Sequence, residues 1–133
     1  MGLSVFCFMR DEEFTEKIIE AFYRVYNCLG YGFLERVYER ALAVEFGRMG
    51  LVFGRQVPIK VLYEDVIVGD YVADFIVEGK VVVEIKAIRE LTDCDGKQLL
   101  NYLRVTGKEV GLLLNFGKKA EVKRKVFGFS LGE

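Results

Sequence analysis

Gly50 divides this sequence into two textures. Before it, apolar residues recur every three to four positions, the period of a helix with one buried face. Beyond it they alternate one by one, the period of a strand. A chain carrying both patterns in succession has to lay helices against a sheet. In the first part, Phe14, Ile18, Ala21, Phe22, Val25 and Tyr26 form one helical stripe behind Asp11, whose carboxylate suits an N-cap. Gly30 and Gly32 break that helix. A second helix is expected from about Phe33 to Arg48, with Leu34, Val37, Tyr38, Ala41, Leu42 and Phe46 inward and Gly50 just past its end.

In the second part, Val57, Ile59, Val61 and Tyr63 alternate with Gln56, Pro58 and Lys60, which predicts a strand. Pro58 assigns it to an edge or places it at the strand's beginning. Glu64-Asp65 turns the chain into a second strand, Val66 to Val77, with a bend near Gly69-Asp70. Glu78-Gly79-Lys80 closes a hairpin onto a third strand, Val81 to Ala87, apolar enough to be central. Asp95 opens a helix running to about Thr106, ended by Gly107. Val110 to Asn115 is a fourth strand and Val122 to Phe129 a fifth. The order α-α-β-β-β-α-β-(β) gives an α/β (α+β) chain, a mixed sheet of four to five strands flanked by helices. With one proline, no repeat and no low-complexity linker, residues 1–133 read as one domain.

Composition narrows the chemistry. Hydrophobic residues make up 52% of the chain and charged ones 29%, which excludes a disordered polymer. No apolar run approaches the ~20 residues of a membrane helix, so no membrane partner is expected. There is no histidine, and Cys7, Cys28 and Cys94 lie far apart. That argues against a zinc ribbon, an iron–sulfur cluster, a disulfide framework and any Ser–His or Cys–His nucleophile pair. A metal here would need an oxygen-only site for Mg²⁺, Mn²⁺ or Ca²⁺. Scattered cysteines suit a reducing compartment. Leu3 to Met9 is apolar but short and lacks a cationic lead, and Phe6 breaks the myristoylation pattern after Gly2. A cytoplasmic location is the expectation.

Net charge is −1, but it is unevenly spread. Residues 51–96 carry five basic and nine acidic groups, whereas residues 97–133 carry eight and three. The acidic part holds the most informative pattern. With a three-residue turn at Glu78, Gly79 and Lys80, Val77 pairs with Val81 and Asp74 stands opposite Glu84. Lys86 shares the face of Glu84, since strand side chains alternate. Like charges facing across a hairpin cost some tenths of a kcal/mol, so a cation belongs between them. Lys86 is one candidate and a divalent metal the stronger one. The plain alternative is a solvated sheet face, and a two-residue turn would instead set Asp74 opposite Val83.

Helix two adds Glu35, three residues from Tyr38 and so beside the apolar stripe. An acid there needs a partner, either a metal or a cation such as Lys86. On the third helix Gln98 and Tyr102 are four apart on one face, with Asn101 adjacent. They suit holding a phosphate or orienting water, or else plain solvation. Lys118, Lys119, Lys123, Arg124 and Lys125 are either a phosphate-backbone contact or a solvated face. Gly30-Tyr31-Gly32 lacks the third glycine of a dinucleotide fingerprint, and none of the Gly-Lys pairs precedes Ser or Thr as in a Walker loop.

Taken in order, Gly32-x-x-Glu35-x-x-Tyr38, Arg55-Gln56-Val57-Pro58, Asp74-Phe75-Ile76-Val77, Glu84-Ile85-Lys86, Gln98-x-x-Asn101-Tyr102-Leu103 and Leu113-Leu114-Asn115-Phe116-Gly117 make a pattern. From about Leu29 to Phe127 the chain resembles the GxxExxY protein family, a branch of the PD-(D/E)XK nuclease-like superfamily. The resemblance implies a restriction-endonuclease-like core and a Mg²⁺- or Mn²⁺-dependent nuclease acting on nucleic acid, DNA before RNA. It implies that Asp74 and Glu84 bind the metal with help from the Ile85 carbonyl. Glu35 would complete the site, and Lys86 would position the water and stabilise developing charge. Gln98 and Tyr102 match the Q-x-x-x-Y signature of an exonuclease-like branch. The alternative is a catalytically inactive module of the same fold that binds nucleic acid or a protein partner. A homodimer is compatible with either.

Overall fold

The computed structural model describes residues 11–128. The Leu3–Met9 segment, Cys7, the side chain of Asp11 and the end of the expected fifth strand at Phe129 lie outside the described residues.

Helix α1 (Asp11–Leu29) buries the stripe its sequence marks out: Phe14, Ile18, Ala21, Phe22 and Val25. Helix α2 (Glu35–Arg48) starts two residues later than its pattern predicts. Leu34 stays extended at ψ 154° as the N-cap residue and is 74% exposed, so it does not join Tyr38, Leu42 and Phe46 in the core. Strand pattern takes over at β1 (Phe53–Tyr63), followed by β2 (Val66–Val77) and β3 (Val81–Lys86). Helix α3 (Asp93–Thr106), β4 (Val110–Phe116) and β5 (Ala120–Val126) complete the described chain.

The five strands form one sheet in sequence order, β1-β2-β3-β4-β5. Neighbours are antiparallel except β3 and β4, which run parallel and are joined through α3. This is the mixed, helix-flanked sheet that the pattern predicts. Strand β1 is an edge strand, which is what allows Pro58 to stand within it, opposite Val72. The bend near Gly69 is a register shift: Val61 faces Gly69, but Leu62 faces Ile67. A Cβ on Gly69 would lie 3.2 Å from the Val61 side chain, so only glycine fits the crossing comfortably.

Two boundaries move for identifiable reasons. Helix α3 begins at Asp93, not Asp95, because Thr92 is its N-cap and Asp95 reaches back to accept the Thr92 N–H at 2.8 Å. Strand β5 begins at Ala120, because a tight turn sets Ala120 opposite Phe116. Its last paired residue is Val126, so Phe127 falls outside it.

The core has two parts, one on each face of the sheet. Phe75, Val77, Val83 and Ile85 pack under α1 and α2, while Val82 and Leu113 pack under Leu99, Tyr102 and Leu103 of α3. Each buried aromatic or aliphatic side chain contributes roughly 1.5–3 kcal/mol. Strand β2 serves both parts. Ala73 belongs to the α3 side and Phe75, two residues on, to the other, so the strand changes layer at Asp74. Opposite it in register is Gln56, whose φ of 50° is left-handed. A side chain at such φ costs about 1 kcal/mol or more.

Candidate active site

The β2–β3 hairpin brings the two strand acids together. Its turn spans Glu78 to Lys80 and the ladder pairs Val77 with Val81, Ile76 with Val82 and Phe75 with Val83. The next pair in that register is Asp74 and Glu84. There the carboxylates replace the ladder. The Asp74 N–H donates to Glu84 Oε2 at 3.2 Å, and the Ile85 N–H donates to Asp74 Oδ2 at 2.7 Å. Both acids are half-buried and fixed by backbone amides. Ile85 therefore enters the site through its N–H, a contact the sequence does not reveal.

The electrostatics are those of acids crowded without enough cation. Burial pushes the Glu84 carboxyl up to about 8, and the Asp74 charge adds to the push. The Asp74 N–H and the Lys86 ammonium oppose it. Asp74 is raised by burial as well, against the pull of the Ile85 N–H, the Gln56 amide and Lys86. Glu35 is raised by burial of its carboxyl and then by Asp74, with Lys86 and the Ala87 N–H lowering it. Lys86 thus draws on all three acids from the same strand face as Glu84.

Glu35 differs from its sequence expectation. It stands in the first turn of α2 as an exposed residue, on the rim of the site rather than on the buried stripe. The buried member of that motif is Tyr38. Its hydroxyl donates to the Gly30 carbonyl at 2.7 Å and accepts the Phe33 N–H at 3.1 Å, and its ring stacks on Phe116 at 4.1 Å. Tyr38 fixes the loop that precedes Glu35, so it shapes the site from outside.

On α3, Gln98 donates to the Tyr102 hydroxyl at 3.0 Å. Tyr102 is raised first by burial and then by Glu84, which places its hydroxyl within the field of the acids. Asn101 is exposed beside them. The basic run does not form one patch. Lys118 and Lys119 are exposed at the β4–β5 turn. Lys123 and Lys125 share the α3 side of β5, where Lys125 lies against Gly96, and Arg124 alternates to the other face.

Three residues that sequence reasoning gave no role support Asp74. The Gln56 amide reaches Asp74 Oδ1 at 3.3 Å and Glu39 Oε1 at 2.9 Å, and Glu39 in turn pairs with Arg55 at 3.0 Å. The signal for Glu39 was available, since it follows Glu35 by one helical turn. Nothing in the sequence marks the left-handed turn that aims Gln56.

Asp74, Glu84, Glu35 and backbone carbonyls are an oxygen-only donor set, which suits a hard divalent cation. Among the described residues no three acid or thiol side chains converge as a ready-made cage. The residues fit an open site, where one or two carboxylates would hold a hard divalent ion. The raised carboxyls are the second sign of fit, since a cation relieves that crowding.

A model of the PD-(D/E)XK nuclease superfamily matches residues 12–125. No curated protein matches the sequence. Among solved structures, the fold is similar to that of SSO0001, with a TM-score of 0.53 and 18% identity over 73% of this chain and 52% of that one. It is also similar to an alkaline exonuclease, LHK-Exo from Laribacter hongkongensis, with a TM-score of 0.52 and 14% identity over 72% of this chain and 57% of that one. The chain therefore spans little more than half the length of either structure, and at these identities the likeness is one of fold.

Proposed function

This chain belongs to the PD-(D/E)XK nuclease superfamily, and from that premise we propose that it is a divalent-metal-dependent nuclease hydrolysing phosphodiester bonds in DNA. The observation that carries the reading is the Asp74–Glu84 pair with Lys86 on one strand face. Further support is the ordered set of blocks shared with the GxxExxY branch, to which we assign the chain. The single-domain reading over residues 1–133 belongs to the same proposal.

Asp74 and Glu84 would hold Mg²⁺ or Mn²⁺, with the Ile85 carbonyl and Glu35 completing the oxygen set. The bound ion supplies charge neutralisation at the phosphate and lowers the pKa of water. The chain's own residues do the rest. The Lys86 side chain acts on all three acids, and from there it would orient water and offset charge that develops on the phosphate. Gln56 holds Asp74 in position from the far strand. Gln98 fixes the Tyr102 hydroxyl, which is available to donate to a phosphate oxygen.

The test is cleavage of single-stranded, duplex and branched DNA with Mg²⁺, with Mn²⁺ and with chelator. Metal-dependent cleavage is expected. Calorimetry with Mn²⁺ should show binding in the wild type, with the tightest site abolished in Asp74→Asn. Unchanged binding in that variant overturns the ligand assignment.

A further inference from the structure

Two cavities lie along the elements that carry the acids, and each presents aromatic rings. One, of about 530 Å³, lies between the Gly30–Leu34 loop and the segment after β3; its lining includes Tyr31, Phe33, Arg89 and Lys118. Leu34 and Ala87 also line it, and these are the neighbours of Glu35 and Lys86. The other, of about 380 Å³, lies between β2 and α3 and includes Tyr71, Gln98, Tyr102 and Arg104. Its Tyr71 stands three residues before Asp74 on β2, and its Tyr102 feels the charge of Glu84 and Asp74.

The rings are out of the core at a cost. Tyr31 is 57% exposed, Phe33 48% and Tyr71 45%. The loop that carries the first two is not slack, because the Tyr38 hydroxyl bonds both the Gly30 carbonyl and the Phe33 N–H. The Tyr71 ring stands 5.6 Å from that of Tyr102. Fixed aromatic faces accompanied by cations are the recognition elements for unpaired nucleic acid, whose bases stack while the phosphates meet Lys and Arg. A duplex hides those base faces and leaves exposed rings unused.

We infer that the site takes an unpaired DNA strand, laid across the acids with bases on Tyr31 and Phe33 at one end and a base beside Tyr71 at the other. This rests on the nuclease reading and narrows its substrate. Lys118, Arg89 and Arg104 would face the phosphates on either side, giving the cationic flanks that the acidic centre lacks.

The test is anisotropy of a short labelled oligothymidine and of a blunt duplex of equal length, titrated with the Lys86→Ala protein so that DNA stays intact. The single strand should bind about tenfold or more tighter. Replacing Tyr31 and Phe33 together by Ala should weaken single-strand binding by roughly tenfold or more. Duplex binding and the salt slope should stay unchanged. Tyr71→Ala should weaken the single strand alone as well. Tyr31→Leu combined with Phe33→Leu keeps apolar packing but removes the stacking faces, so it should lose as much as the double replacement by Ala. Equal or tighter duplex binding, or ring removal without effect on the single strand, overturns the inference. Ring-dependent single-strand binding by a wild type that never cleaves overturns the nuclease reading and leaves this one standing. Duplex cleavage indifferent to the rings does the reverse.

Discussion

In the proposed mechanism, Lys86 is the residue that separates chemistry from binding. It lowers the carboxyls of Glu35, Asp74 and Glu84 together, yet it stands on a strand whose packing depends on Val83 and Ile85. Lys86→Ala should therefore fold and bind DNA while cleavage falls about a hundredfold or more, the scale of a lost preorganised charge. Equal cleavage by the variant would remove Lys86 from the mechanism. Gln56 gives a prediction of mixed sign. Gln56→Gly relieves a left-handed φ worth about 1 kcal/mol, so urea stability should hold or rise. It also frees Asp74 from its amide partner, so metal affinity or cleavage should fall about tenfold. Loss of stability in step with activity would contradict this account. The Asp74–Glu84 pairing was legible in the sequence, because a three-residue turn fixes the register and the register fixes the face. Gln56 was not legible, because its role depends on the sign of one φ, which tertiary structure imposes.

At the scale of elements, the second strand was readable to its last residue, since Glu64-Asp65 and Glu78-Gly79 punctuate both ends. Both turns use left-handed residues, Glu64, Asp65, Glu78 and Gly79. Helix starts were harder to read. Leu34 has the apolar character of a buried position but stays extended ahead of α2, and Thr92 displaced Asp95 as the cap of α3. The fifth strand was misplaced because Gly117, Lys118 and Lys119 make the whole turn, so pairing resumes at Ala120, before the apolar alternation that marks the strand begins. Tyr38 belongs to this scale too, since it joins α2 to the loop before it and to β4 through Phe116. Tyr38→Phe keeps the stack but drops both hydroxyl bonds. It should cost about 1–2 kcal/mol in urea unfolding, and hydrogen exchange should rise over residues 30–33. Unaltered exchange there would show that the loop is held by other means.

Across the whole molecule, crowded acids make stability depend on pH and on ions. Glu84 titrates near 8 in the folded chain against an ordinary 4.5. The stability linked to it is complete below pH 4.5 and is lost as pH rises through about 8. Thermal midpoints of metal-free protein should therefore fall between pH 5 and pH 8. Mg²⁺ or Mn²⁺ should raise the midpoint more at pH 8 than at pH 5, because an ion competes with the proton for these carboxylates. A metal-induced gain independent of pH would argue that the ion binds elsewhere. The parallel contact between β3 and β4 has a temporal consequence as well. The β2–β3 hairpin is local and can close in about 1–10 μs, whereas β4 must wait for α3 to be spanned. On that ordering Asp74 and Glu84 are expected to meet before α3 brings Tyr102 to the sheet. The proposed site would then be assembled from the inside out, its charges first and its α3 side last.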